Sequence, residues 1–142
     1  MSGSTNSVRV QWTGENLDFT GKFGSGFDFD MGGGPHKKAG SPMEFLLAGV
    51  AGCTAVDIVN ILQKRRKNVT GVEVEVTGQR AEDYPMVYTD LDVTYIVRGE
   101  DIDPNSVERA IKLSEEKYCS ASATFQRAGA NISSSYRIEP SK

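Results

Sequence analysis

The chain has 142 residues, 38% of them apolar and 25% charged, with a formal net charge of −3. That length suits one domain of about 100–150 residues, and the composition is that of a globular chain, neither disordered nor collagenous. The negative balance offers nucleic acid no basic face, and the one basic run, Lys64-Arg65-Arg66-Lys67, suits the carbonyl end of a helix instead.

Residues 1–6 are polar, with neither a basic segment nor an apolar core. They read as a frayed end without a secretory signal, and the expected location is the cytoplasm. A β-meander follows. Val8, Val10 and Trp12 alternate with Arg9 and Gln11, Phe27 and Phe29 alternate with Asp28 and Asp30, and glycines punctuate the stretch between. Residues 31–40 hold Gly32-Gly33-Gly34-Pro35, which predicts a flexible loop able to act as a lid.

A long helix comes next. Ser41 can be its N-cap, Pro42 suits the first helical position, and Glu44 completes a capping box. The helix is expected to reach about Arg66, with Gly71 beyond its end. From Phe45 to Leu62 it is apolar nearly all round, which predicts burial on most sides. The stretch is long enough to raise the question of a membrane. Asp57, Asn60 and two glycines interrupt it, and a carboxylate is costly inside a bilayer, so no membrane association is expected.

Val72, Val74 and Val76 alternate with Glu73 and Glu75 in a fourth strand. Leu91, Val93, Tyr95 and Val97 mark a fifth, with Tyr84-Pro85 in the connection. A second helix opens at Asp103-Pro104 and turns Val107, Ala110, Ile111, Ser114 and Tyr118 inward. After Gly129 a last strand carries Ile132, Tyr136 and Ile138. The order β-β-β-α-β-β-α-β describes a single α+β domain over residues 1–142. A helix apolar on so many faces needs more cover than one sheet supplies, which predicts a homodimer with that helix at its centre.

Two cysteines make no disulfide framework, and with one histidine they are too few for a zinc cage, so neither metal nor cofactor is expected. Cys53 sits mid-helix among small residues, and Cys119 follows Tyr118. Each suits a buried inert thiol as well as a working one. Their separation fits no metal or Cys-x-x-Cys motif, so spacing leaves open whether they meet.

The segment Gly40-Ser41-Pro42-Met43-Glu44-Phe45-Leu46-Leu47-Ala48-Gly49-Val50-Ala51-Gly52-Cys53-Thr54-Ala55 resembles the cysteine helix of the OsmC/Ohr family. Lys117-Tyr118-Cys119-Ser120-Ala121-Ser122 resembles its second-cysteine signature, and Tyr84 to Val93 its proline-led strand entry. The resemblance implies an intertwined homodimer and a thiol-dependent peroxidase acting on organic hydroperoxides. Cys53 would attack the peroxide and become a sulfenic acid. Cys119 would condense with it to a disulfide, which an external dithiol of the lipoyl type reopens. An alternative is a non-enzymatic dimer of the same fold that binds a small apolar ligand or senses oxidants.

Family peroxidases also imply an arginine on the N-terminal hairpin, held by a glutamate ten residues before the first cysteine. Here that position is Met43, with Glu44 next to it, and Trp12 to Phe27 contains no arginine. Arg9, Glu44 and His36 are the residues left to support Cys53, although the capping box already employs Glu44.

Overall fold

The period-two alternation of the first thirty residues becomes a three-stranded antiparallel sheet in the computed structural model, which describes residues 3–35 and 39–141. Strands β1 (Val8–Trp12), β2 (Asp18–Phe23) and β3 (Asp28–Gly32) pair in the order β1-β2-β3. Gly26 takes φ +102° in the turn between β2 and β3, where the Phe23 N–H donates to the Phe27 carbonyl at 2.9 Å. A side chain there would be strained. Phe29 stacks on Phe23, with ring centroids 4.4 Å apart, and meets Phe45 at 5.1 Å.

Strand β3 takes in two residues of the predicted loop. Met31 pairs with Phe19 and Gly32 with Asp18, because pairing with β2 outweighs the weak strand preference of glycine. The connection therefore starts at Gly33, whose N–H donates to the Leu17 carbonyl at 2.9 Å. His36 lies outside the described residues.

The predicted capping box opens helix α1 (Pro42–Lys64). The Ser41 N–H donates to Glu44 Oε1 at 2.9 Å, and the Glu44 N–H donates to Ser41 Oγ at 3.2 Å. The helix closes without a glycine. Arg66 adopts φ +59°, the Lys67 N–H donates to the Leu62 carbonyl at 3.0 Å, and the Arg66 N–H donates to the Gln63 carbonyl at 2.9 Å. The chain soon enters the next strand, so Gly71 lies beyond the helix end as expected, inside that strand at a register shift.

The chain divides into two units, Met1–Leu46 and Leu47–Lys142, with the boundary inside the first turns of α1. In the second unit, β4 (Asn68–Arg80), β5 (Tyr88–Glu100) and β6 (Asn131–Glu139) form a sheet of order β4-β5-β6. Strand β4 is antiparallel to β5, whereas β6 is parallel to it. Parallel pairing requires a crossover. Here α2 (Pro104–Leu113), a π-helical turn (Ser114–Tyr118) and α3 (Ser120–Arg127) supply it. Arg98 of β5 ties the sheet together, pairing with Glu73 of β4 and with Glu139 of β6, the latter at 3.1 Å.

The single helix expected after Asp103 is thus two helices. Asp103 does cap the first, its carboxylate accepting from the Ser106 N–H at 3.1 Å. After Leu113 the wider π turn shifts the phase of the stripe. Val107, Ala110, Ile111 and Ser114 stay buried as expected, but Tyr118 is 50% exposed. Cys119 then turns to φ −79°, ψ 97°, which ends one helix and starts the next.

Ile58 and Leu62 of α1 join Val93, Tyr95 and Val97 of β5 and Val107, Ala110 and Ile111 of α2 in one core. The i, i+4 stripe Val50, Thr54, Ile58 and Leu62 is the fully buried part of α1. Other apolar positions stay open, Val56 at 60% exposure, because a three-stranded sheet and one short helix reach only one side. Burial on most sides is therefore not achieved within one chain. By length and composition alone, α1 is long and apolar enough to cross a membrane.

Candidate active site

Cys53 occupies the turn of α1 next to the buried stripe and is half-buried. The neighbouring Thr54 hydroxyl is satisfied within the helix, donating to the Val50 and Ala51 carbonyls at 3.2 Å each. Asp57 follows one helical turn later and so shares the face of Cys53. Cys119 reaches the same place from the junction of the π turn and α3. The sulfurs of Cys53 and Cys119 and a carboxylate oxygen of Asp57 all lie within 4.8 Å of one another. Both cysteines are free thiols.

The second layer comes from α2, the π turn and α3. Ser114 Oγ donates to Asp57 Oδ2 at 2.9 Å, orienting the carboxylate. Cys119 is the N-cap of α3, and its sulfur accepts from the Ser122 N–H at 3.3 Å. Its own N–H donates to the Ser114 carbonyl at 2.7 Å. Tyr95 donates to Glu115 Oε2 at 2.5 Å, and Ser134 donates to Glu115 Oε1 at 3.3 Å, so this carboxylate on the π turn is held from two strands.

The electrostatics differ between the groups. Burial pushes the Cys119 thiol up; the Ser122 hydrogen bond opposes this, and the neighbouring Cys53 adds to it. The Tyr95 hydroxyl is pushed far above its ordinary range, by burial first and by its Glu115 acceptor second. Burial of Cys119, only 2% exposed, thus favours its thiol form, while Cys53 is the more accessible sulfur.

Two of the supporting residues named from sequence, Glu44 and Arg9, are among the described residues. Glu44 is engaged in the capping box. Arg9 lies exposed on β1, beside a surface cavity of about 640 Å³ that Lys22, Asp28 and Asp30 also line. Both belong to the first unit, whereas the thiols belong to the second. From sequence, Ser114 was only a core position, Ser122 only part of the second-cysteine signature, and Glu115 had no role of its own. A serine on an otherwise apolar stripe was the available signal for Ser114. A small polar residue three after Cys119 was the signal for its capping role.

Two thiols facing each other beside an oriented carboxylate, on an α+β scaffold with one long apolar helix, define a dithiol protein. A family model described as OsmC-like protein matches residues 34–135. Protein YhfA of Escherichia coli (strain K12) is 42% identical over 131 residues, covering 92% of this chain and 96% of YhfA. The chain belongs to the OsmC-like family. A solved structure of a hypothetical protein from Aquifex aeolicus VF5 aligns with TM-score 0.86 and 28% identity over 99% of this chain and 100% of that one. The organic hydroperoxide resistance protein OhrB of Bacillus subtilis shares the fold, with TM-score 0.63 and 18% identity over 94% and 98% of the two chains. The α+β fold expected from sequence is the fold found, with α3 added.

Proposed function

We propose that this protein is a thiol-dependent peroxidase that reduces organic hydroperoxides, with Cys53 as nucleophile and Cys119 as resolving thiol. The observation that carries the reading is the approach of the two sulfurs to within 4.8 Å across sixty-six residues of sequence. Cys53, as thiolate, attacks the terminal peroxide oxygen. The O–O bond breaks, the alkoxide leaves and takes up a proton as an alcohol, and the sulfur becomes a sulfenic acid. The Cys119 thiol then attacks the sulfenic sulfur. Its proton leaves with the sulfenic hydroxyl as water, and a disulfide forms. An external dithiol of the lipoyl type reduces that disulfide and is itself oxidised.

The unequal burial supports this division of roles. An accessible sulfur meets the peroxide, and a buried, protonated one waits for the intermediate. Membership of the OsmC-like family supports the reaction class. The exposed apolar faces of α1 support an intertwined homodimer, and two free thiols suit the reducing cytoplasm.

The test is consumption of an alkyl hydroperoxide with dihydrolipoamide as reductant. Wild type should turn over and Cys53→Ser should not. A protein that forms the disulfide once but is not recycled by any dithiol would be an oxidant sensor instead.

A further inference from the structure

The two thiols and the carboxylate also have the composition of a metal site. We propose that Cys53, Cys119 and Asp57 together bind one thiophilic divalent cation of the Zn²⁺ or Cd²⁺ type, in an open site with a free coordination position. Too few cysteines and histidines are present for a closed four-ligand cage, as the composition implied. An open site needs only three protein ligands, and the third is a carboxylate that a cysteine–histidine count overlooks.

Three features carry the inference. The first is distance. Ligands on a tetrahedral zinc ion stand roughly 3.5–3.8 Å apart, given zinc–sulfur bonds of about 2.3 Å. The three ligand atoms here already fall within 4.8 Å of one another, so side-chain rotation of under about an ångström each closes the set. The second is the outer layer. Metal-binding carboxylates are held by hydrogen bonds, and Ser114 Oγ donates to Asp57 Oδ2 in this way. The Ser122 N–H likewise points at the Cys119 sulfur, where it stabilises thiolate charge. The third is exposure. Cys119 is buried, whereas Cys53 and Asp57 are half-buried, so two of the three ligands keep some exposure within the chain. Two soft sulfurs select against Mg²⁺ and Ca²⁺.

Binding is not a redox step. Two thiols lose their protons, two metal–sulfur bonds and one metal–oxygen bond form, and two protons are released per ion. The site depends on where the thiols lie and not on turnover, so its failure would leave the peroxidase reading intact. Peroxide assays in chelator test that reading separately.

The experiment is titration of Cd²⁺ alone into reduced, full-length protein without oxygen. A sulfur-to-cadmium charge-transfer band in the near ultraviolet should saturate at one ion per chain. Asp57→Asn keeps both thiols and should bind less tightly than wild type, and Ser114→Ala should lose about tenfold in affinity. On wild-type protein, one equivalent of Cd²⁺ should protect Cys53 from iodoacetamide and Mg²⁺ should not, a readout that requires no variant to fold. A band that persists in the Cys53→Ser/Cys119→Ser double variant would overturn the site. So would Asp57→Asn binding as tightly as wild type, or alkylation of Cys53 at the same rate with and without Cd²⁺.

Discussion

Cys119 illustrates how one residue can hold several jobs at once. It ends the π turn, caps α3 with its sulfur, and lies within reach of Cys53. If it resolves a Cys53 sulfenic acid, Cys119→Ser should leave that acid to over-oxidise. Peptide mass analysis after hydroperoxide treatment should then find sulfinic acid at Cys53, where wild type gives the Cys53–Cys119 disulfide. Unchanged thiols in both proteins would count against the mechanism. The same residue should shape stability at alkaline pH. Burial raises its pKa in the folded state, while an unfolded cysteine ionises near about 8.5. Above that value the unfolded chain binds fewer protons than the folded one, so stability is complete below it and falls as pH rises toward the folded pKa. Denaturant midpoints measured from about pH 8 to about pH 10 should therefore decline less steeply for Cys119→Ala than for wild type. Parallel curves would contradict this.

At the scale of elements, α1 does two separable things. Its start is local chemistry. Ser41→Ala removes a capping hydrogen bond and should destabilise the protein by about 1 kcal/mol. Its stripe is tertiary packing. Leu62 is fully buried in the core of the second unit, and Leu62→Ala should cost about 2–5 kcal/mol, since the sheet cannot collapse fully into the space left. Urea unfolding of both variants checks the ranking, and a Leu62→Ala loss no larger than that of Ser41→Ala would mean the stripe is not the anchor. The π turn is the third device. It ends at Cys119, where α3 begins, and places Glu115 where Tyr95 and Ser134 donate to it.

For the molecule as a whole, the exposed apolar side chains include Leu46 and Val56 of α1, which a single chain leaves uncovered. A homodimer that pairs these helices would bury about 2,000 Å² or more. Sedimentation at low micromolar concentration should then give twice the 15.4 kDa chain mass. Val56→Glu, a charge placed on the open face, should shift the protein toward monomer or aggregate. A well-folded wild-type species at 15.4 kDa would end the dimer reading.

Local rules were legible wherever short-range physics decides. The capping box at Ser41, the cap at Asp103 and the alternation in β5 depend on neighbours three residues away or fewer, and sequence shows those neighbours directly. The break between α2 and α3 was not legible, because a π turn leaves the composition helical and only shifts its phase. The end of α1, expected at about Arg66 and found at Lys64, was legible from the basic run, but its closing device was not, because Arg66 takes a conformation for which glycine is the usual sign. The cysteine signatures named Cys53 and Cys119, but their distance in sequence says nothing about distance in space. Only the packing of the π turn against α1, fixed by burial of Ile58, Leu62, Val107 and Ala110 in a common core, brings the sulfurs and Asp57 together. That packing is cooperative and long-range, so no window of sequence contains it.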